Sequence, residues 1–297
     1  MPSSRPPEPL ALAQPRSDDA AADSGLTVWL KLDSRPRSPT LVRAVLAAVG
    51  EAAALHQELL DDLRTAVSEA CNNVVEHAYG GQIGPLDVRL RIDAGAVEVE
   101  VSDSGGGIRG LRHDDQEPAG FGLAIIATLA SRSEFMEREE GGTAVRLAFR
   151  RDGAAQGDQR IDGGAPGMLS ESPALSGDVV VSLSPPAALG RVLGRVARSL
   201  ALLEHFSLDQ LPDLTAITDA LALQAVRAGG HEMSFAITSS TRLLELTLSP
   251  FAPGALGSAA AEAALASLAG RVHERRVQPA SSESESESLY VSVRRDQ

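Results

Sequence analysis

Residues 63–79, LRTAVSEACNNVVEHAY, decide how the rest of the chain is read. The stretch has the periodicity of a helix and carries Glu69 and, four residues on, Asn73. That spacing sets both side chains on one helical face, one above the other. A carboxylate and a carboxamide stacked in this way can hold a hydroxyl and a metal ion side by side. Taken alone, the pair suits an amphipathic helix turning its polar face to solvent equally well. Three segments further along shift the balance: VSDSGGG at 101–107, GFGL at 120–123 and GGT at 141–143. Four segments in this order point to a nucleotide-binding protein.

Phosphoryl transfer asks mainly for positioning and for neutralisation of charge. Mg²⁺ prefers hard oxygen ligands and is usually held by few protein groups plus phosphates, so the amide oxygen of Asn73 is a suitable ligand. Glu69 is a candidate to orient or deprotonate a nucleophilic hydroxyl. Asp103 stands where a strand runs out into Ser104-Gly-Gly-Gly107. A carboxylate there can accept the exocyclic amine of adenine, while Gly105 and Gly107 let the backbone approach the base. A simple Asp-Gly turn is the other reading of those residues. Gly120 and Gly122 open a helix whose free amides favour a phosphate, or they merely loosen its start. Thr143 offers a hydroxyl beside Asp103, and the glycines before it also make a hairpin turn.

Ile108 to Ala119 mixes Arg109, Arg112 and His113 with Asp114, Asp115 and Glu117. A polar loop beside a ligand is a natural lid, with its charges solvated. His77 is expected to be packed or capping rather than catalytic. Cys71 faces away from the Glu69/Asn73 stripe, into the core. The sequence contains no metal-ligand cluster, no Ser-His-Asp arrangement and no P-loop.

The chain has 297 residues, enough for two domains. Apolar residues make up 43% and aromatics only 3%, so the core must be built of Ala, Leu and Val. A net charge of −13 argues against a nucleic-acid partner and suits a basic protein partner. The single cysteine fits a reducing cytoplasm. Residues 1–24 lack the apolar run of a signal peptide or membrane span and read as a disordered tail.

Leu26–Leu32 alternates like a half-buried strand. Helices are expected over Pro39–His56, Glu58–Ala78 and Gly120–Ser131. Strands are expected over Leu86–Ile92, Ala96–Val101 and Thr143–Phe149, with Asp93-Ala-Gly95 as a hairpin turn. This order predicts an α/β two-layer sandwich over residues 25–150. Residues 151–177 are rich in Gly, Pro, Ser and Asp and read as a linker.

The pattern then returns over 178–297. Asp178–Leu183 matches the first strand, and TAITDALAL at 215–223 aligns with TAVSEACNN at 65–73. Strands are expected over Met233–Thr238 and Leu243–Leu248, and a helix over Ala259–His273. SLYVSVRRD at 288–296 parallels TAVRLAFRRD at 143–152. An internal duplication accounts for this order and for the shared RRD, although any two Ala/Leu-rich α/β domains look somewhat alike. The second copy has lost its polar chemistry. Leu223 stands at the position of Asn73, SPFAPGALG replaces the glycine-rich acidic turn, and the low-complexity SSESESES occupies 281–288.

EACNNVVEHAY at 69–79, DSGGG at 103–107, GFGL at 120–123 and GGT at 141–143 resemble the N, G1, G2 and G3 boxes of the GHKL (histidine kinase-like) ATPases. The resemblance covers about residues 26–150 and lies nearest the anti-sigma factor serine/threonine kinases of the RsbW and SpoIIAB type. It implies a Bergerat-type ATP-binding fold, with ATP and Mg²⁺ as cofactors. Glu69 would be the catalytic base and Asn73 the Mg²⁺ ligand. Asp103 would read adenine, with Gly105, Gly107, Gly120, Gly122 and Thr143 lining the pocket.

The family sequesters a sigma factor and phosphorylates a Ser or Thr on an anti-sigma factor antagonist, thereby regulating transcription by partner switching in the cytoplasm. An ATP-binding module that sequesters a partner without phosphorylating it is the alternative function. The chain departs from the family in a short lid and in its degenerate second copy. That copy stands in for a partner subunit in an intramolecular pseudo-dimer, unless the chain forms a homodimer as its relatives do.

Overall fold

The computed structural model describes residues 25–106, 121–151, 169, 175–279 and 286–296. The chain runs β1 (Leu26–Asp33), α1 (Ser38–Ala52), α2 (Gln57–Asn73), a π-helical turn (Val74–Ala78), β2 (Pro85–Ile92), β3 (Ala96–Asp103), α3 (Phe121–Leu129), β4 (Arg132–Glu137) and β5 (Thr143–Arg150). It continues β6 (Val179–Ser184), α4 (Leu189–Leu203), α5 (Leu211–Arg227), β7 (Met233–Ser239), β8 (Leu243–Phe251), α6 (Ala259–Ala266), β9 (Glu274–Gln278) and β10 (Glu287–Arg294).

Strand alternation builds the two layers. In β2, Leu86, Val88, Leu90 and Ile92 are buried, while Asp87, Arg89 and Arg91 alternate with them on the opposite face. The buried face receives Val45, Leu46 and Val49 of α1 and Leu63, Val67 and Cys71 of α2 in one continuous core. Burial pushes the Cys71 thiol up to about 12, so it stays a neutral core side chain.

All ten strands form one antiparallel sheet in the order β4-β5-β3-β2-β1-β6-β7-β8-β10-β9. The sheet is symmetric in outline about the β1–β6 pairing, where Val28 faces Leu183 and Leu30 faces Val181. The helices pack in a row, α3-α2-α1-α4-α5-α6, so α1 against α4 repeats the join in the second layer. Charge reinforces it. Arg37, at the start of α1, pairs with Asp178 at 2.8 Å and Glu204 at 2.9 Å. Arg195 of α4 reaches Glu51 at the other end of α1.

The repeat extends to local detail. α1 ends through Ala54 at φ 51° and a hydrogen bond of 2.9 Å from the Leu55 amide to the Gly50 carbonyl. α4 ends through His205 at φ 62° and a Phe206-to-Ala201 bond of 2.8 Å. The middle arginines of the two RRD endings also correspond. Arg151 donates to the carbonyls of Ala53 and Asp93, and Arg295 donates to those of Glu204 and Thr241. In each half one guanidinium ties the end of the first helix to the hairpin between the second and third strands.

Five expectations need correction. The first helix stops at Ala52, not His56, because Ala54 adopts a left-handed conformation without glycine. The helix expected to Ala78 is α-helical only to Asn73 and then widens into the π turn. The strands β4 and β9 were absent from the expected order, and α6 ends at Ala266 rather than His273. Position 121, not 120, begins α3, which closes at Leu129 rather than Ser131. The expected tail over 1–24, most of the 151–177 linker, the lid over 108–119 and most of the 281–288 run lie outside the described residues.

Candidate functional site

The first-half site forms where α2 gives way to the π turn and the ends of β3 and β5 meet. π turns often mark functional positions, because the widened turn re-aims side chains and carbonyls. Here the last carbonyl of the turn, on Ala78, accepts the Gly106 amide at 2.9 Å. The loop after β3 is thereby pulled against the helix. Gly105 fits there because a Cβ would land on the Ala78 carbonyl.

A cavity of about 110 Å³ opens beneath this junction. Ala70, Val74, Val101, Leu123, Phe135 and Val145 give it apolar walls. Asn73, His77, Asp103 and Thr143 supply its polar groups. Three predicted residues from three elements therefore meet in one cavity: Asn73, Asp103 and Thr143. Glu69 lies one turn before Asn73, against the start of α3, where a Cβ on Gly122 would strike its Oε1. Gly122 is thus explained by its approach to the carboxylate. Gly107 and Gly120 lie outside the described residues.

Asp103 is 4% exposed. Burial raises its carboxyl above the ordinary range; the Gly105 and Thr143 amides and the Arg138 charge oppose that rise. Its Oδ1 accepts the Gly105 amide at 2.8 Å. Gly142, at φ 92°, lets the β4–β5 hairpin close on Asp103, since a Cβ would meet the Asp103 carbonyl.

His77 departs from expectation: it lines the cavity with its side chain half-exposed, beside Glu76 at 3.8 Å. Sequence reasoning also missed two contributors. Tyr79 hydrogen-bonds the Ser104 amide, and Arg138 donates to the Asp103 carbonyl at 3.0 Å. Tyr79 had a signal, since it ends the same helical segment as Glu69 and Asn73. Arg138 had none, because only the hairpin brings it to β3.

The cavity suits a flat apolar ring with a hydrogen-bond donor on one edge. Buried Asp103 and neighbouring Thr143 would meet that edge, and Asn73 offers a neutral oxygen to a cation. The donor set therefore fits an adenine nucleotide with Mg²⁺. Among the described residues no group of three or more His, Cys, Asp or Glu is placed to hold a metal by itself.

The counterpart site in the second half is built differently. β8 pairs with β10 through Leu248 and Leu289, as β3 pairs with β5 through Val101 and Val145. Two residues on, Pro250 therefore stands in the place of Asp103, and Glu287 opens β10 as Thr143 opens β5. The Glu287 carboxylate accepts the amides of Gly254 at 2.8 Å and Leu256 at 3.3 Å, and Leu256 is buried. Leu223, at the Asn73 position, is exposed.

The fold of the first half is that of a kinase-like ATPase domain. Residues 32–149 match the histidine kinase-like ATPase domain family. An anti-sigma F factor from Caldanaerobacter subterraneus is 31% identical over 127 residues, covering 40% of this chain and 89% of that protein. A serine-protein kinase RsbW from Bacillus pumilus is 35% identical over 138 residues, covering 41% of this chain and 85% of the relative. The crystal structure of the RsbU and RsbW domains of Rv1364c from Mycobacterium tuberculosis aligns at 26% identity and a TM-score of 0.34. That alignment spans 42% of this chain and 32% of the other. The chain belongs to the histidine kinase-like ATPase family, on the branch of the anti-sigma factor serine kinases.

Proposed function

We propose that the chain is an ATP-dependent anti-sigma factor-type serine/threonine kinase whose single nucleotide site lies in its first half. The convergence of Asn73, Asp103 and Thr143 on one cavity, with Glu69 one helical turn away, carries this reading. Relatives named anti-sigma F factor and serine-protein kinase RsbW support it. Asp103 accepts the exocyclic amine of adenine, and the cavity walls exclude water around the ring. Asn73 helps hold Mg²⁺, which when bound neutralises phosphate charge and orients the transferring group. Glu69 takes the proton of the acceptor hydroxyl on an antagonist protein.

The second half is a degenerate copy that no longer binds nucleotide. Through β1–β6 and α1–α4 it takes the place of a partner subunit, making an intramolecular pseudo-dimer. We place the protein in the cytoplasm, where ATP and transcription factors are found. No helix among the described residues is long and apolar enough to cross a membrane.

The test is titration with ATP and Mg²⁺, followed by transfer of a labelled γ-phosphate to a co-expressed antagonist. Asn73→Ala and Asp103→Ala should weaken binding, whereas Glu69→Ala should leave binding in place and abolish transfer. Absence of binding by folded wild-type protein sinks the proposal. Binding without transfer, with ATP altering only retention of a sigma factor, favours a sequestering module instead.

A further inference from the structure

Asp103 and Ser104 share one peptide group, and that group is held at both ends. Arg138 Nη1 donates to its carbonyl oxygen at 3.0 Å from the β4–β5 hairpin. Tyr79 Oη accepts its N–H at 2.9 Å from the end of the π turn. The Tyr79 hydroxyl spends its own proton on the Pro85 carbonyl, so its lone pair is turned toward Ser104. The ring is fixed as well, since a Cβ on Gly84 would run into it. Each component is therefore anchored: the phenol to β2, and the guanidinium to the hairpin that Gly142 closes.

A peptide group held at its carbonyl and its amide cannot swing. Its plane sets ψ of Asp103 and thus the direction in which the backbone presents the carboxylate. The next two amides are also engaged, Gly105 by Asp103 Oδ1 at 2.8 Å and Gly106 by the Ala78 carbonyl at 2.9 Å. These local bonds shape the loop, whereas Tyr79 and Arg138 connect the Asp103–Ser104 peptide to separate elements. The second half lacks this chemistry. Extending the match of 65–73 with 215–223 places Gly229 at the Tyr79 position, and Pro250 replaces the carboxylate.

We propose that Tyr79 and Arg138 form a clamp on the Asp103–Ser104 peptide that aims the Asp103 carboxylate at the base and so sets selectivity for adenine. Both are positioning residues. Their role rests on the reading of the cavity as a nucleotide site. Adenine offers the carboxylate an amine hydrogen, whereas hypoxanthine presents a carbonyl oxygen at the same edge. A firmly aimed carboxylate discriminates between them, and a loosened one does so less.

Calorimetric titration of the full chain with Mg²⁺-ATP and Mg²⁺-ITP tests the clamp. Wild type should bind ATP at least tenfold more tightly than ITP. Tyr79→Phe keeps the ring but loses the hydroxyl, and Arg138→Gln loses the charge. Each should weaken ATP binding about tenfold and leave ITP binding within twofold, collapsing the ratio. Arg138→Lys, which keeps a charged donor, should restore part of it. Thermal unfolding checks that the variants fold. Equal losses for both nucleotides, or an unchanged ATP-to-ITP ratio, overturn the clamp while leaving the nucleotide site standing. Failure of folded wild-type protein to bind either nucleotide overturns the site and the clamp together.

Discussion

The two halves of this chain share topology, helix-stop geometry and even the arginine that ties the first helix to the first hairpin. They part at the ends of their third and fifth strands. In the first half a buried carboxylate, a threonine and glycines leave a cavity among apolar walls. In the second half proline replaces the carboxylate, and Glu287 turns inward to bind the loop containing Leu256. A fold of this kind needs its core and its hydrogen-bonded strands, and both halves retain them. It does not need an open cavity with a buried carboxylate, which is costly unless a ligand or neighbouring donors satisfy it.

The sharpest way to break this comparison is at the paired positions Asp103 and Pro250. Removal of a charged hydrogen-bond acceptor costs about 1.5–3 kcal/mol, which weakens ATP binding by roughly 10- to 150-fold. Asp103→Ala should show that loss in calorimetric titration, and Pro250→Ala should show none. The fitted stoichiometry should be one nucleotide per chain. Two nucleotides per chain, or equal losses at the two positions, would mean that the second site still functions.

Glycines offer the next contrast. Gly142 has φ 92° and its missing Cβ makes room for the Asp103 carbonyl, whereas Gly254 has φ 78° with nothing within 4 Å. A left-handed alanine costs about 1–2 kcal/mol. Gly254→Ala should cost only that in urea unfolding. Gly142→Ala should cost more, because backbone must move as well, and it should also impair ATP binding. Matching costs for the two variants would remove the claim that the first-half hairpin is closed on Asp103.

How much of this was legible beforehand depended on whether burial or long-range contact defined each feature. β1, β2, β3 and β5 alternate because each has one face in the core. β4 and β9 escaped notice because RSEFME and ERRVQ bury almost nothing and are defined by pairing along one edge. Asn73, Asp103 and Thr143, which line one cavity, could be singled out because their segments carry local signatures. The π turn was not, since its residues continue a helical pattern. Nor was the early end of α1, since alanine gives no warning of a left-handed stop. Arg138 shows the limit most clearly. Its role depends on a hairpin that returns it to the end of β3, and no local spacing encodes that.

A smaller effect is expected at the join. Arg37 holds Asp178 and Glu204 across the boundary, with all three side chains largely but not wholly buried. Its loss falls between the surface and buried limits, about 1–3 kcal/mol. Arg37→Ala should lower the urea midpoint by that amount and should leave ATP affinity unchanged, because the site is elsewhere in the sheet. A change under about 0.5 kcal/mol, the range of ordinary surface substitutions, would leave strand pairing and α1–α4 packing as the whole of the join.

The last contrast is with pH, where one group gives two opposite signs. Burial raises the Asp103 carboxyl above its ordinary value of 3.8, so the folded chain holds that proton more tightly than the unfolded chain. Its contribution to folding is therefore greatest below 3.8 and is lost as pH rises through the raised value. ATP binding runs the other way, because an adenine amine needs the ionised carboxylate as acceptor. Affinity should fall as pH drops through the raised value, at a higher pH than an ordinary aspartate would allow. His77 also lines this cavity, so the comparison belongs in a His77→Gln background. The Asp103 part is the difference between His77→Gln alone and with Asp103→Asn added. In that background Asp103→Asn should flatten the affinity profile through the raised value and remove the matching slope in stability. A difference centred at 3.8 would mean that Asp103 behaves as a solvated side chain, and the contrast with Pro250 would then concern geometry alone.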